Sequence, residues 1–551
     1  MEVQEKNYRV DFLQSQEHVQ VDQTTLVETI VDFLDYYGEA SLLGQDFMAE
    51  IGHADGQTQF QNLLEATGHP DDPEAFFQEL LPQLGLADGS RPISVGGIQL
   101  PHLLLVRILE ALIPGNSFLS IKDVDQLQKV SNIHLPDEDR EPLQRVIDTY
   151  PVRLSKHTIR QNRVSRNVAY QYLPFVEELD PVGHTNTWIG QFHQGLLEQM
   201  YRNRVIFLLD MSCPVYCRFC FRKHKETRNE ANPSSEDVDR ALEHVRNSPQ
   251  IKEIVVTGGD PFLNKANMHR TIDGLAEIPH VQTLRLATRS VSYYPHLFLG
   301  KNRAWLDYLK EKNLMLRHKG KRLELATHFI HPDEISPESL EIITELVKNG
   351  IQVYIQTPFL KDCNDQGPEL TRLFSLLRGA GAELHYIYIP CSPIHGNSVY
   401  WSTIAEGQKV ANYLRAHLSD RIIPRICTAT PIGKMDWQTS GWAVEREQGS
   451  QDFIWIRTPY TPEYFRSFVP EATDLKALGN VRVNEEGTLD ARYMAKIGDD
   501  SLFFGSRPAR AAKIISPDPR TIQEWRSFFY NNDNLRFTLV QTGSEWLYRP
   551  H

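Results

Sequence analysis

The sequence has few cysteines, no long uninterrupted apolar run and no excess of positive charge. Only six of its 551 residues are cysteine, too few for a disulfide framework in a chain of this length. The most apolar early stretch, IQLPHLLLVRILEALIP, contains Arg107, Glu110 and two prolines, which predicts a buried or amphipathic helix rather than a membrane span. The net charge of -13 argues against a protein that coats nucleic acid. We therefore expect an acidic enzyme that binds neither membranes nor nucleic acid.

The N-terminal sequence MEVQEKNYRVDF carries charges of both signs and lacks the apolar segment of a secretory signal. This predicts a cytoplasmic protein. The length and the hydrophobic content of 41% suit more than one domain with a buried core, and exclude disordered and low-complexity classes.

Four regions are predicted along the chain. Residues 1–150 show helical periodicity interrupted by polar loops, and 151–200 mix basic and aromatic residues without a clear period, which favours a linker or lid. Residues 201–440 alternate β-rich runs with amphipathic segments, and 441–551 read as a small α+β extension. The alternation predicts an α/β fold with a partial (βα)6-type parallel barrel, whose reactive groups lie where strands end.

Three of the cysteines lie within eight residues. Cys213, Cys217 and Cys220 follow the first β-rich run with a C-x3-C-x2-C spacing. Three thiolates on one loop can each bind one iron of a four-iron cluster and leave the fourth iron open to a substrate. A zinc site is the alternative; a structural zinc needs a fourth ligand, for which His224 is available.

A second motif, VVTGGDPF, follows the next β-rich run. Gly258 and Gly259 allow the backbone to approach a ligand closely, and the carboxylate of Asp260 can accept hydrogen bonds from an ammonium group. With the cysteine spacing and Phe219 between the last two cysteines, this motif resembles the radical S-adenosylmethionine superfamily.

Longer segments resemble one family of that superfamily, the lysine 2,3-aminomutases. These segments are YRNRVIFLLDMSCPVYCRFCFRKH, ATHFIHPDEI and YIQTPFLKDCND. The resemblance extends from Ile159 to Lys434 and implies a 4Fe-4S cluster on the three cysteines, S-adenosylmethionine on the open iron, and pyridoxal 5'-phosphate. A reductant such as flavodoxin or ferredoxin would supply the electron that produces a 5'-deoxyadenosyl radical.

The resemblance also implies roles for individual residues. Lys434 would hold pyridoxal phosphate as a Schiff base, with Tyr201 and Arg204 helping to bind it. His328 and Gln356 would lie near S-adenosylmethionine. Arg222 would bind the substrate α-carboxylate through its planar guanidinium. Thr288 and Arg289 also end a predicted strand, without an assigned role.

The substrate residues depart from the family pattern. The lysine enzymes present two aspartates to the substrate side-chain ammonium, whereas Cys391 and Cys427 stand near those positions here. A buried ammonium without an anionic partner is costly, so free lysine is not expected. Cys391 and His395 are the substrate-binding candidates, and a protonated His395 would suit a carboxylate. The prediction is a 2,3-aminomutase that converts a glutamate-like or small neutral α-amino acid to a β-amino acid.

Two other functions remain open at this stage. One is a radical S-adenosylmethionine enzyme without pyridoxal phosphate that acts on a different or larger substrate; the other is an iron-sulfur redox or sensing protein. No cysteine follows Cys427, so the interface zinc of some family members is not expected. Whether the protein forms a homo-oligomer is not determined by the sequence.

Overall fold

A computed structural model describes most of the chain. The described residues are 6–13, 17–179, 192–194, 196–220, 222, 232–390, 398–430, 432–436, 442–449, 453–468, 481–494, 537–542 and 545–550. His224, Cys391 and His395 lie outside them.

The N-terminal region is mainly helical, as predicted. Within the described residues its helices are α1 (Gln23–Tyr37), α2 (Ala40–Leu43), α3 (Gln45–Ile51), α4 (Gly56–Ala66), α5 (Pro73–Leu86), α6 (His102–Leu112), α7 (Val124–Ser131) and α8 (Asp137–Thr149). Two further helices, α9 (Lys156–Val164) and α10 (Arg166–Tyr172), lie in the segment 151–200 that the sequence analysis interpreted as a linker or lid. Aspartate side chains cap several of these helices by accepting a backbone N–H from the first turn, as Asp22 and Asp123 do. Leu and Phe side chains of α1 to α6 form a core of their own.

Short strand pairs join these helices. They are β1 (Asn7–Asp11) with β2 (His18–Asp22), β3 (Ser94–Val95) with β4 (Ile98–Gln99), and β5 (Phe118–Ile121) with β6 (Val152–Ser155), all antiparallel.

A ten-stranded sheet forms the second region. Its strands are β7 (Phe192–Gln194), β8 (Leu197–Tyr201), β9 (Arg204–Asp210), β10 (Glu253–Gly258), β11 (Thr283–Ala287), β12 (Arg322–His328), β13 (Gln352–Pro358), β14 (Glu383–Pro390), β15 (Arg425–Thr430) and β16 (Gly433–Asp436). Strands β9 to β15 are parallel and neighbours in chain order, while β7, β8 and β16 are antiparallel at the two ends. The predicted partial barrel is confirmed.

Helices connect the parallel strands. They are α11 (Ser235–Arg246), α12 (Lys265–Ala276), α13 (Ser290–Tyr293), α14 (His296–Leu299), α15 (Ala304–His318), α16 (Pro337–Lys348), α17 (Pro368–Gly379) and α18 (Ile404–His417). Alternate strand residues, such as Ile254 and Val256, pack against these helices in the largest core. Strand residues that alternate with these helix-facing residues point to the other face of the sheet. Glu253, Arg285 and Lys434 are therefore candidates for the barrel interior.

The C-terminal region contains a four-stranded antiparallel sheet in the order β17, β18, β20, β19. The elements are β17 (Trp442–Arg446), β18 (Phe453–Arg457), α19 (Pro462–Arg466), β19 (Val481–Val483) and β20 (Leu489–Met494), followed by a hairpin of β21 (Phe537–Thr542) and β22 (Glu545–Pro550). Among the helices described, none has the length and hydropathy to cross a membrane.

Candidate active site

The two sequence motifs pack directly against each other. The amide of Gly259 donates to the Asp210 carbonyl at the end of β9, and the amide of Asp260 donates to the Ser212 carbonyl over 2.8 Å. A Cβ atom on Gly258 or Gly259 would clash with the Asp210 or Ser212 carbonyl oxygen, and Gly258 has φ +133°. Glycine is therefore required at both positions to bring the GGDP loop beside the cysteine loop.

The three cysteines form a set of neighbouring thiols. Burial, with the nearby Asp260 carboxylate and the other two cysteines, raises the pKa of Cys213 well above its ordinary value. Burial also raises the pKa of Cys217 to about 11, although Arg289 opposes this shift. Both thiols are thus protonated before metal binds, so metal ligation would release their protons.

Arg289 donates a hydrogen bond to one of these thiols. Its Nη1 donates to Cys217 Sγ over 2.8 Å, its Nη2 pairs with Glu334 at 2.5 Å, and its guanidinium lies 5.1 Å from the ring centre of Phe219. The residue is buried. A buried cation beside a thiolate suits an anionic iron-sulfur cluster, because hydrogen bonds to the sulfurs stabilise its reduced state.

The donor set fits a four-iron cluster. The described residues include no group of three or more His, Cys, Asp or Glu side chains arranged to hold a metal ion. A four-iron cluster does not need its thiolates to converge on one ion, since each binds a different iron.

The carboxylate of Asp260 is buried in a set of hydroxyl groups. Its Oδ2 accepts hydrogen bonds from Thr288 at 2.6 Å, Ser290 at 2.6 Å and Tyr293 at 3.2 Å, and its Oδ1 accepts the amide of Phe262 at 3.1 Å. These contacts fix the GGDP loop to the start of α13. The Asp260 carboxylate is therefore already occupied by donors of the protein itself.

Lys434 lies on β16, the short antiparallel strand that follows β15 in a hairpin. A turn at Ile432 precedes the first residue of this strand, Gly433. Its Nζ lies 5.1 Å and 4.7 Å from the ring centres of Tyr386 and Tyr388. Burial, followed by the charge of Arg204, lowers the pKa of Lys434 to about 8. A lysine with a lowered pKa supplies the neutral amine that imine formation requires.

Tyr201 and Arg204 lie beside this lysine. The Tyr201 hydroxyl accepts the backbone amide of Lys434 over 2.9 Å, and the Arg204 guanidinium stacks 4.3 Å from the Tyr201 ring centre. Arg204 also lies 3.8 Å from Glu253. The turn between β8 and β9 therefore positions both residues next to β16.

His328 and Gln356 are paired in the register of β12 and β13. Burial and the charges of Arg289 and Lys434 lower the pKa of His328 to about 3, which keeps its imidazole neutral. Gln356 contacts His385 at 3.5 Å and Tyr388 at 3.4 Å. Arg289 and Lys434 are therefore both close enough to His328 to lower its pKa.

Arg222 forms a two-point ion pair with Glu198. Its Nη1 and Nη2 donate to Oε1 and Oε2 of Glu198 at 3.2 and 2.8 Å, and the Glu198 side chain is only 1% exposed. Glu198 pairs in register with Ile206 of β9, on the face opposite the helix-packed Leu197 and Phe207. The predicted carboxylate-binding arginine is thus already paired with an acid that sequence reasoning did not single out.

A charged cluster lies on the same face of the parallel strands. Arg285 bridges Glu253 at 3.0 Å and Glu324 at 3.3 Å. Arg285 lowers the pKa of Lys434, and Glu253 raises it. The sequence analysis did not single out Glu253, Arg285 or Glu324, because each could be an ordinary strand residue. They could have been found from the alternation along each strand, since their neighbours in sequence are apolar residues that face the helices.

Comparison with known proteins agrees with this geometry. The family model of the radical SAM superfamily matches residues 211–374 of this chain. A putative L-lysine 2,3-aminomutase of Aquifex aeolicus (strain VF5) is 30% identical over 291 residues, covering 52% of this chain and 76% of that protein. The L-lysine 2,3-aminomutase of Bacillus subtilis (strain 168) is 25% identical over 435 residues, covering 74% of this chain and 87% of that protein.

The chain belongs to the lysine 2,3-aminomutase family. Membership in this radical SAM family implies a 4Fe-4S cluster and S-adenosylmethionine as cofactors. The family also includes a relative with another substrate name: a glutamate 2,3-aminomutase of Clostridioides difficile (strain 630) is 26% identical over 258 residues, 47% of this chain and 57% of that protein. The family predicted from the motifs is confirmed.

Proposed function

We propose that this member of the lysine 2,3-aminomutase family is a pyridoxal-phosphate-dependent aminomutase for an α-amino acid other than lysine, glutamate-like or small and neutral. The observation that carries the proposal is the amine of Lys434, held near Tyr386, Tyr388 and Arg204 with a lowered pKa. A lysine exposed to solvent would not have the burial that lowers the pKa of Lys434.

The cluster with S-adenosylmethionine supplies a hydrogen-abstracting radical when bound, and pyridoxal phosphate supplies a carbonyl electrophile conjugated to an electron-accepting ring. In this proposal Cys213, Cys217 and Cys220 hold the cluster, and Arg204 with Tyr201 binds the phosphate end of the second cofactor. A guanidinium suits a phosphate because its fork donates two parallel hydrogen bonds.

Other residues would orient the ligands without adding charge. His328 stays neutral because its pKa is about 3, and Gln356 is neutral by its chemistry, so both can hydrogen-bond polar groups of S-adenosylmethionine. The backbone of Gly258 and Gly259 would receive its ammonium group.

The substrate proposal rests on Cys427. Burial raises the pKa of its thiol to about 12, so this position is neutral and gives a substrate ammonium no partner. Tyr388 and Cys427 are paired in the register of β14 and β15. Arg222 would bind the substrate α-carboxylate by sharing or exchanging its contact with Glu198. Cys391 and His395 remain proposed substrate contacts outside the described residues.

Borohydride trapping tests the proposal. The protein is purified without oxygen, supplied with pyridoxal phosphate, reduced, digested and mapped by mass spectrometry. The expected result is a pyridoxyl mass on the peptide that contains Lys434, absent from Lys434→Ala. Lys361, a lysine outside the cluster of residues around β16, serves as the matched control position and should stay unmodified. An intact cluster without an adduct on Lys434 would overturn the aminomutase assignment.

An amino-acid screen then tests the substrate class. The reduced holoenzyme with S-adenosylmethionine is incubated with glutamate, alanine and lysine, and β-amino acids are measured. Glutamate or alanine should give product. Lysine as the best substrate would contradict the assignment of Cys427. The proposal also includes a flavodoxin-type or ferredoxin-type reductant and a cytoplasmic location.

A further inference from the structure

A cavity of about 310 Å³ lies where the N-terminal region meets the outer helices of the barrel. Its walls come from α6, the segment after α6, α9, the segment 294–299 and the first turn of α16. None of the residues assigned above to the cofactors or the substrate lines it. It is therefore separate from the proposed active site.

Some of the charged groups around the cavity are already satisfied. Arg160 donates from Nε to the Lys156 carbonyl at 3.2 Å and from Nη2 to the Gly115 carbonyl at 3.1 Å, and its Nη1 lies 3.6 Å from Glu110. Glu110 also pairs with Nη1 of Arg107. Glu110 and Arg160 thus already have partners within the protein, and we do not assign a ligand contact to them.

Three other groups are placed to receive a ligand. The side chain of His157 is buried, and its Nε2 has no hydrogen-bond partner among the described residues. The Glu338 carboxylate forms no hydrogen bond or ion pair with any described residue, and Arg107 uses only Nη1. A buried polar nitrogen without a partner is costly.

Nε2 of His157 can act as a hydrogen-bond acceptor. Burial lowers the pKa of His157 to about 4, so the ring is neutral at neutral pH. In the tautomer that carries the proton on Nδ1, the buried Nε2, which has no partner among the described residues, accepts a hydrogen bond. The cavity therefore offers one cationic donor at Arg107, one anionic acceptor at Glu338 and one neutral acceptor at His157.

We propose that this cavity binds a zwitterionic α-amino acid. Its carboxylate would pair with Arg107, and its ammonium would donate to Glu338 and to His157 Nε2. A simple anion would leave Glu338 unpaired, and a simple cation would leave Arg107 with its present partner only. An amino acid satisfies all three groups and fits the cavity volume.

The position of the site connects it to the GGDP loop. Ser292 precedes Tyr293, whose hydroxyl donates to Asp260 at 3.2 Å and whose carbonyl accepts the Ser155 hydroxyl at 2.5 Å. A ligand on His157 would thus rest against the segment that supports Asp260. This inference does not depend on the proposed function, because it concerns binding outside the barrel interior.

Equilibrium dialysis of the anaerobically purified holoenzyme with radiolabelled L-alanine tests the site. Glu338→Gln and Arg107→Gln should each bind one alanine fewer per chain than the wild type, or bind that alanine about tenfold more weakly, as expected for loss of one charged hydrogen bond. Glu341→Gln, one turn along α16 and paired with Arg303, should bind like the wild type. Propionate and ethylamine, which each lack one charge, should not displace this molecule.

Hydrogen exchange of the wild type gives a second readout that needs no variant. Alanine should slow exchange in α9 and in residues 290–296. Unchanged stoichiometry together with unchanged affinity in both Glu338→Gln and Arg107→Gln would overturn the proposal, as would displacement of the label by propionate alone. Exchange in α9 that is unaffected by alanine would overturn it even where a variant fails to fold.

Discussion

Single side chains in the candidate site have their charge set by burial and by a few neighbours. Lys434 has a pKa of about 8 because it is buried near Arg204, whereas His328 stays neutral and Cys427 stays a thiol. Among the described lysines, Lys321 and Lys434 have a lowered pKa, and Lys434 is the one proposed above to hold pyridoxal phosphate. Two predictions follow at this scale.

Replacing Arg204 by Gln should raise the pKa of Lys434, because it removes the neighbouring cation. Trapping of pyridoxal phosphate on Lys434 increases as pH rises through the lysine pKa, so its midpoint should move from about pH 8 to higher pH. The trapped yield at saturating pyridoxal phosphate, measured against pH, checks this. Arg202→Gln, on the same turn but exposed, is the matched control. A midpoint that stays in place in Arg204→Gln would contradict the electrostatic account.

Replacing Arg289 by Gln should make the cluster harder to reduce, since a donor to Cys217 and a positive charge are lost. The midpoint potential in a redox titration should become more negative, with Arg289→Lys between Gln and the wild type. Arg285→Gln removes a cation that bridges Glu253 and Glu324 instead, and its cluster potential should stay close to the wild-type value. Equal potentials in the wild type and Arg289→Gln would rule out this tuning.

At the scale of elements, the GGDP loop packs closely against the cysteine loop, and this packing positions both motifs. Gly259→Ala should destabilise the protein by about 1–3 kcal/mol, as overpacking does, and should lower cluster content, because the new methyl group meets the Ser212 carbonyl. Urea unfolding and iron analysis measure both effects. Gly379→Ala, where nothing lies within 4 Å, should be neutral or slightly stabilising. Similar behaviour of the two variants would show that the loops can separate.

The elements were largely predictable from sequence, whereas their mutual contacts were not. The run RVIFLLD became β9 (Arg204–Asp210) and RICTAT became β15 (Arg425–Thr430), since β-branched runs between turn residues favour strands. No local pattern encodes the pairing of Arg222 with Glu198 or of Arg289 with Cys217, because each joins residues far apart in the chain. Strand β16, which carries Lys434, escaped prediction because it is only four residues long.

At the scale of the whole molecule, residues of the segment 151–200 hold the cysteine loop in place. Arg218, between two of the cysteines, is fully buried and pairs with Glu178 at 2.6 Å, and its Nη1 donates to the Pro151 carbonyl at 2.9 Å. Arg153 donates to the Cys213 carbonyl at 2.8 Å. The cluster loop therefore depends on residues that precede the barrel.

Arg218→Met should cost about 3–5 kcal/mol of unfolding free energy, because it leaves the Glu178 carboxylate buried without its cation. Urea denaturation measures the loss. The double variant Arg218→Met/Glu178→Met should recover part of it, since no lone charge remains. A double variant less stable than Arg218→Met would contradict this explanation.

The strict chain order of strands β9 to β15 has a consequence for synthesis on the ribosome. Each parallel strand hydrogen-bonds to the strand made just before it, so the sheet can grow at one edge as the chain emerges. The three cysteines are made next to the first of these strands and Lys434 after the last. The nascent chain thus presents its three thiols before Lys434 has been made, so the cysteine loop can receive its cluster before the last strands of the sheet have formed.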